Sequence, residues 1–462
     1  MIFQSIITKA KLRNQALDLA ALSAKVKGAM SSSAKKLLSS SSIVFGGTLI
    51  ASFFSYLFNM IMGRMLGPAQ YGEMTAIFSF LTIISVIGGG ILTVTMRYSG
   101  ELYALGEYRA LRKLFRIFSR YIFILAAGLF LVGLVFSKVI GRFLTIDQIS
   151  PLILAFAGLF FSFLIVVSRG ILQGTQRFVP LSFLGILEMI LRLTLGIALV
   201  WLGFSVSGAI GAGVLATAIA YGYSLVSLRK ILASRDKTGK KEAFRFDKKE
   251  IINYSLPALL ASFLLVLALN VDVILVKHYF PADEAGTYAA VSTIAKIITY
   301  ATTPIVAVMF PMIAEQRTIG QKHYRLFLFS LLFTLLGSLV ILGIYIVMPA
   351  KVIGLLYGQS YTGLHYILPE IGMVVLLYSL ISLIVSYYLA VRNFFFLWVF
   401  GLVMAVEIVA ITLWHPSILA VVRILIVSLC LLFIQMIGYY LYTKKEQLSA
   451  VIRGDYDFDE AS

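Results

Sequence analysis

The sequence predicts an all-α polytopic membrane protein, with about twelve transmembrane helices in two six-helix lobes related by a parallel internal repeat. Three observations carry that prediction. Of 462 residues, 60% are hydrophobic and 13% charged, against about 45–50% and about 25% in soluble domains. The apolar residues gather in solid runs near the roughly 20 that cross a bilayer, where an outer-membrane barrel would show short alternating segments. The basic residues fall in alternate loops.

Composition also excludes several classes. A chain with 34 Phe and 24 Tyr does not stay solvated as a disordered one. Cys430 is the sole cysteine, so no intrachain disulfide forms. With 4 His beside it, a Cys/His zinc site is out of reach, and no metal or cofactor is expected.

The spans begin at Ile43, Thr75, Ile117, Pro151, Leu181, Val206, Ser255, Tyr288, Leu326, Glu370, Phe394 and Ser417. They are punctuated at Gly67-Pro68, Ile149-Ser150-Pro151, Phe280-Pro281, Met348-Pro349 and His415-Pro416, because proline lacks a donor and cannot continue a helix. Counting alternate loops from the N-terminus, one set holds 31 of the 39 Lys+Arg, including Lys9 to Lys36, Arg97 to Arg120, Arg169, Arg177 and Arg229 to Lys249. The other holds Arg64, Lys138, Arg142, Lys277 and Lys351. That asymmetry places both termini in the cytoplasm of an inner-membrane protein. The net charge of +18 is then a topology signal and an attraction to anionic lipid headgroups, not a nucleic-acid footprint.

The first 40 residues carry seven Lys/Arg and two serine-rich stretches, with no apolar core of about 7–15 residues before a small-residue cleavage site, so they do not read as a signal peptide. Ile6, Ile7, Leu12, Ala16, Leu19 and Leu22 would share one face of an interfacial helix, and a solvated basic tail is the alternative.

Aligning Ile43 with Leu256 exposes a repeat. Asn59 falls on Asp272, Arg64 on Lys277, Pro68 on Pro281 and Ala69 on Ala282; after one inserted residue Gly72 falls on Gly286 and Ala76 on Ala290. With six spans on each side of a basic segment, both copies enter the membrane in the same direction. The expected organisation is a basic cytoplasmic tail over 1–42, a six-helix lobe over 43–228, a cytoplasmic linker over 229–250, a second lobe over 251–442 and a cytoplasmic tail over 443–462. Two such lobes about a cleft suit alternating access by rocking.

Three short stretches carry a family resemblance: Gly63-Arg64-Met65-Leu66-Gly67-Pro68-Ala69-Gln70-Tyr71-Gly72-Glu73 running into Phe78-Ser79-Phe80-Leu81, Leu172-Gln173-Gly174-Thr175-Gln176-Arg177-Phe178, and Leu355-Leu356-Tyr357-Gly358-Gln359-Ser360-Tyr361. They resemble turns of the polysaccharide-transport and O-antigen (Wzx-like) flippases of the multidrug/oligosaccharidyl-lipid/polysaccharide exporter superfamily, over about Ser42 to Tyr442. The resemblance implies a flippase that carries a polyprenyl-diphosphate-linked oligosaccharide between leaflets for polysaccharide biosynthesis. It also implies a cationic cavity, a lipid tail in a groove between helices, and other polysaccharide-assembly proteins as partners. The basic N-terminal extension and a last helix pair poor in small residues depart from the pattern.

Charges inside spans cost about 2.5–3.5 kcal/mol on insertion scales, so they are paired, cavity-facing or functional. Glu188 and Arg192 are spaced i,i+4. Glu407 and Arg423 lie at similar depth about the His415-Pro416 turn, and Asp272 and Lys296 lie likewise about the turn near Asp283. They brace helix hairpins as three ion pairs, or Arg192, Lys296 and Arg423 face the cleft as substrate-binding cations. In the second case Asp272, Glu188 and Glu407 are candidates for ion coupling, with Asn59 at the matching depth of the first lobe. Arg64 and Arg97 are further substrate-binding candidates as mouth residues near opposite ends of the first two helices, or are anchored at headgroups. Gly208, Ala212, Ala216 and Ala220 form a row of small residues for close helix packing, and Gly88-Gly89-Gly90 would allow a bend.

No GxxxxGK[ST] loop is present, so an ion gradient or the membrane potential would supply energy. A cation-coupled multidrug exporter is the alternative function. An enzyme is not expected, because the longest outer loop, about Pro349 to Pro369, lacks a general acid–base pair.

Overall fold

The computed structural model describes residues 2–146, 148–234, 248–318 and 324–453. Side chains of residues 2–45 are outside the description, and with them the expected face of Ile6, Ile7, Leu12, Ala16, Leu19 and Leu22; so are the linker residues 235–247 and the acidic tail.

All regular structure among the described residues is helical. The first half holds α1 (Ile2–Ala104), α2 (Tyr108–Phe143), α3 (Ser150–Gly174), α4 (Phe178–Leu199) and α5 (Ser205–Leu232). The second holds α6 (Lys248–Ala268), α7 (Val271–Tyr279), α8 (Ala282–Ala295), α9 (Ile297–Thr318), α10 (Tyr324–Val347), α11 (Pro349–Leu356), α12 (Leu368–Ala390), α13 (Phe396–Leu413) and α14 (Ile418–Arg453). Ten described helical segments are long and apolar enough to cross a membrane. Two are of double length, Gly46–Ala104 with 59 residues and Phe178–Arg229 with 52. Each turns at a glycine with positive φ, Gly67 at 74° ahead of Pro68 and Gly203 at 92°, a conformation costly for any side chain with a Cβ.

Helices α1, α3, α4 and α5 pack on one another with α2 against α3, while α9, α10, α12 and α14 form a second bundle with α8 and α13 at its flanks. Helix α1 joins the two through α8, α7 and α6. The small-residue row behaves as the sequence implies: Ala212, Ala216 and Ala220 are fully buried where α5 meets α3 and α4. Gly133 serves the same end between α2 and α3, since a Cβ there would run into the ring of buried Phe156. Gly133→Ala is therefore expected to cost ~1–3 kcal/mol by overpacking. A drop in the thermal midpoint of the detergent-purified protein measures it; an unchanged midpoint refutes the close contact.

The glycine triplet does not break its helix. Backbone angles stay helical through Gly88-Gly89-Gly90, because the backbone bonds of a helix in an apolar setting close internally whatever the side chain. An apolar groove of about 590 Å³ lies between the halves beside Gly90, walled by Gly90, Ile91, Phe118 and Tyr121 on one side and Leu256 and Leu259 on the other. All three tryptophans are exposed, Trp201 by 80%, Trp398 by 82% and Trp414 by 65%, as residues of an interfacial belt are.

Candidate functional site

In the second half, polar groups gather where two helices break. Leu269-Asn270 separates α6 from α7, and Asp272 sits in the first turn of α7, where the helix dipole favours a carboxylate. Lys296 caps the C-terminus of α8, where the dipole favours a cation. Asp272 Oδ2 accepts hydrogen bonds from Tyr288 Oη at 2.7 Å and Ser292 Oγ at 3.4 Å. Its Oδ1 is buried without a hydrogen-bond partner among the described residues. Glu407 on α13 is 1% exposed, and neither carboxylate oxygen has a hydrogen-bond partner, although the Ser428 hydroxyl lies close by. The charge of Asp272 reaches both Glu407 and Lys296. The expected Asp272–Lys296 bridge is not made: Tyr288 and Ser292 bond Oδ2, and Oδ1 stays open without Lys296 reaching it.

In the first half the centre is a cavity of about 180 Å³ among α1, α3, α4 and α5, lined by Thr82, Ser85, Ser162, Glu188, Arg192 and Thr217 with apolar neighbours. The Arg192 guanidinium lies 4.5 Å from the Phe58 ring centre and 4.4 Å from that of Phe78, within cation–π range. The expected Glu188–Arg192 pair is not formed. Glu188 is held instead by an ion pair with Arg169 of α3 and a 2.8 Å bond from Thr217 of α5, which draw its carboxylate away from the residue one turn along its own helix.

Arg423 does not meet Glu407 either. It lies 3.8 Å from Glu370 with two thirds of its side chain exposed. Equal depth on adjacent helices does not fix the face, and Glu407 points inward while Arg423 points out. Arg97 is exposed.

The halves are fastened at the end carrying the Gly67-Pro68 and Phe280-Pro281 turns. Arg64 donates from Nε to the Leu356 carbonyl at 3.0 Å and from Nη2 to that of Leu355, gripping the C-terminus of α11. Tyr71 Oη lies 3.0 Å from Tyr357 Oη and donates to Thr293 Oγ1 at 3.3 Å, and Tyr361 Oη donates to the Gly63 carbonyl at 2.6 Å. Thr145 Oγ1 donates to the Lys277 carbonyl at 3.1 Å, and His278 Nδ1 donates to that of Phe143 at 2.6 Å while stacking on its ring. Asn59 belongs to this fastening, donating to the Ser55 carbonyl and facing Tyr71 Oη at 3.5 Å. At the centre Gly72 and Gly286, aligned by the repeat, meet each other: a Cβ on Gly72 would lie 2.7 Å from Gly286 Cα, and one on Gly286 would run into the Pro68 carbonyl.

This architecture has relatives. A family profile described as polysaccharide biosynthesis protein matches residues 37–317, more than half of the chain. The chain belongs to that family. No curated protein sequence matches it. Among solved structures it is similar to a multidrug resistance MATE family transporter of the MOP superfamily in the inward-facing conformation, at 16% identity and a TM-score of 0.65, covering 86% of this chain and 96% of that one. The outward-facing conformation of such a transporter scores 0.57 at 17% identity, covering 87% and 96%. The lipid II flippase MurJ in an inward closed conformation scores 0.61 at 14% identity, covering 85% and 86%. The fold is thus that of MOP-superfamily transporters and flippases. The polysaccharide biosynthesis family member described here is a multi-pass membrane protein.

Sequence reasoning nominated Glu188, Arg192, Asp272, Lys296 and Glu407 but missed their partners. Arg169 was counted with the loop cations, although it lies five residues inside the end of α3. Tyr288, Tyr357 and Tyr361 gave no charge signal in a chain holding 24 tyrosines.

Proposed function

We propose that the protein is an inner-membrane flippase that moves a polyprenyl-diphosphate-linked oligosaccharide across the bilayer by alternating access. The two double-length segments each cross twice, giving twelve spans, and lobes 43–228 and 251–442 rock against each other. The observation that carries this reading is the fastening of the halves at one end, by Arg64, Tyr71, Tyr361, Thr145 and His278. With both termini cytoplasmic, as the Lys/Arg asymmetry indicates, that end faces outward and this state faces the cytoplasm. The higher score against an inward-facing MATE transporter than an outward-facing one supports it.

Lys296 and Arg192 hold the phosphorylated headgroup, and Asp272 with Glu407 couples its movement to a cation or proton. Arg423, turned outward against Glu370, takes no part in that grip. The test reconstitutes the protein in vesicles with a fluorescent lipid-linked oligosaccharide and measures leaflet accessibility. Lys296→Ala should slow flipping about tenfold or more, the value of one charge-assisted contact, while the protein stays monodisperse. Unaltered flipping in that variant removes Lys296 from the grip.

A second reading, a cation-coupled multidrug exporter, is favoured by the unpartnered oxygens of Asp272 and Glu407. Efflux of a cationic dye that disappears in Asp272→Asn, with no flipping of the glycolipid, decides for it.

A further inference from the structure

The apolar groove between the halves ends in charge. Its wall on α1 is a single stripe, Ile87, Gly90, Ile91 and Val94, set against Leu256 and Leu259 of α6. The halves come close at Gly90, where a Cβ would lie 3.1 Å from a Leu259 methyl carbon. Ile87, Tyr121 and Leu256 are exposed, so the groove opens sideways to the acyl chains of the bilayer.

The stripe continues one and two turns further, toward the end of α1 that the Lys/Arg asymmetry places in the cytoplasm. There it reaches Arg97 and Glu101, both exposed, roughly 4.5 and 10.5 Å beyond Val94 along the axis. The exposed cations of α2, Lys113, Arg116 and Arg120, fall on the face opposite Phe118, Tyr121 and Leu125, which wall the groove. Among the described side chains, the charges in line with the groove are thus one cation and then one carboxylate.

A guanidinium at headgroup depth binds a phosphate. A carboxylate one turn further out accepts from a primary ammonium group, which is all donor. Acyl chain, phosphate, ammonium is the order of groups along phosphatidylethanolamine. Phosphatidylcholine carries the same charges without the donors. An anionic phospholipid, or the diphosphate of a lipid-linked cargo, puts only negative charge beside Glu101 and is disfavoured there. Because each half supplies one wall, the width of the groove follows their relative position, and a lipid seated in it discriminates between states.

We infer that the groove is a binding site for an aminophospholipid of the inner leaflet, with its phosphate on Arg97 and its ammonium on Glu101, and that its occupancy favours the outwardly closed state described here. The site goes beyond the transport reading and is the same for either cargo.

The experiment places the full chain in phosphatidylcholine nanodiscs doped with one of four bromine-labelled lipids: phosphatidylethanolamine, its N,N-dimethyl form, phosphatidylcholine or phosphatidylglycerol. Trp201→Phe, Trp398→Phe and Trp414→Phe clear the background, and Tyr121→Trp reports a brominated chain in the groove by quenching. Phosphatidylethanolamine should bind about three- to tenfold more tightly than phosphatidylcholine, with the dimethyl form between them. Arg97→Gln should weaken both about three- to tenfold, because the phosphate is common to them. Glu101→Gln should abolish the preference and Glu101→Asp should keep it, which separates lost recognition from misfolding. A second readout is the distance between spin labels at Gln70 and Gln359, both exposed, in a Cys430→Ser background. Exchanging phosphatidylcholine for phosphatidylethanolamine should raise the short-distance population over the long one about three- to tenfold, the ratio of affinities, and Glu101→Gln should cancel the rise. Equal quenching by the four lipids shows ordinary annular lipid and overturns the site, as does tightest quenching by phosphatidylglycerol. A preference that survives Glu101→Gln overturns the role of the carboxylate. A distance distribution indifferent to the headgroup overturns the effect on conformation.

Discussion

Gly286→Val is expected to hold the two lobes apart at their turn end. Gly286 and Gly72 meet backbone to backbone, and a Cβ at Gly286 points into the Pro68 carbonyl. Neither side is a flexible side-chain tip that can swing away, so the closed contact itself must yield. Overpacking of this kind costs ~1–3 kcal/mol, which shifts a two-state equilibrium about 5- to 150-fold. The change is read as a distance between spin labels at Gln70 and Gln359, both exposed, with Cys430 replaced by serine. The distribution should lengthen and flipping should fall by a similar factor. A distribution matching wild type would show that the glycine pair does not set the closed state. Tyr71→Phe gives a milder counterpart, removing the bonds to Tyr357 and Thr293 at about 0.5–1.5 kcal/mol each.

Glu407→Gln is expected to stabilise the protein and impair it together. Both carboxylate oxygens are buried with only the Ser428 hydroxyl close by, and the Asp272 charge repels the group further. A neutral amide of the same shape cannot ionise beside Asp272 and offers donors to its surroundings. The gain should exceed about 1 kcal/mol, since unsatisfied buried groups cost ~1–3 kcal/mol and charged ones more. A buried ionisable group within a span marks a functional-site hypothesis, and with the coupling role proposed above transport under an imposed ion gradient should lose about 5- to 150-fold, the range of a coupling energy. Thermal midpoint and gradient-driven flipping are the two readouts. A lower midpoint with unchanged transport would make Glu407 a structural brace.

The bundle was legible because membranes leave the chain few choices: solid apolar runs, proline breaks and basic loops have one common solution. The alignment set Gly72 on Gly286, but that the two glycines touch is a tertiary fact no alignment of equivalent positions implies. Ion pairing was not legible either. Spacing told that Glu188 and Arg192 shared a helix face, but only the packing of α3 and α5 brings Arg169 and Thr217 to claim the carboxylate. Depth told that Glu407 and Arg423 were level, and rotation about the helix axes separated them. Arg64 read as a mouth or headgroup anchor, yet its donors found the carbonyls ending α11, nearly three hundred residues away. Such partners are set by tertiary geometry, to which one-dimensional periodicity is blind.

Helix α13, which carries Glu407, has 18 residues and so spans about 27 Å, just under the hydrocarbon thickness. Trp398 lies near its start and Trp414 just past its end, both exposed. An element this short, moored by indole rings at each face of the bilayer, has no slack to slide along the normal. In the rocking cycle proposed above, Glu407 would stay at constant height while its neighbours tilt, and what would change for it is which aqueous compartment it sees.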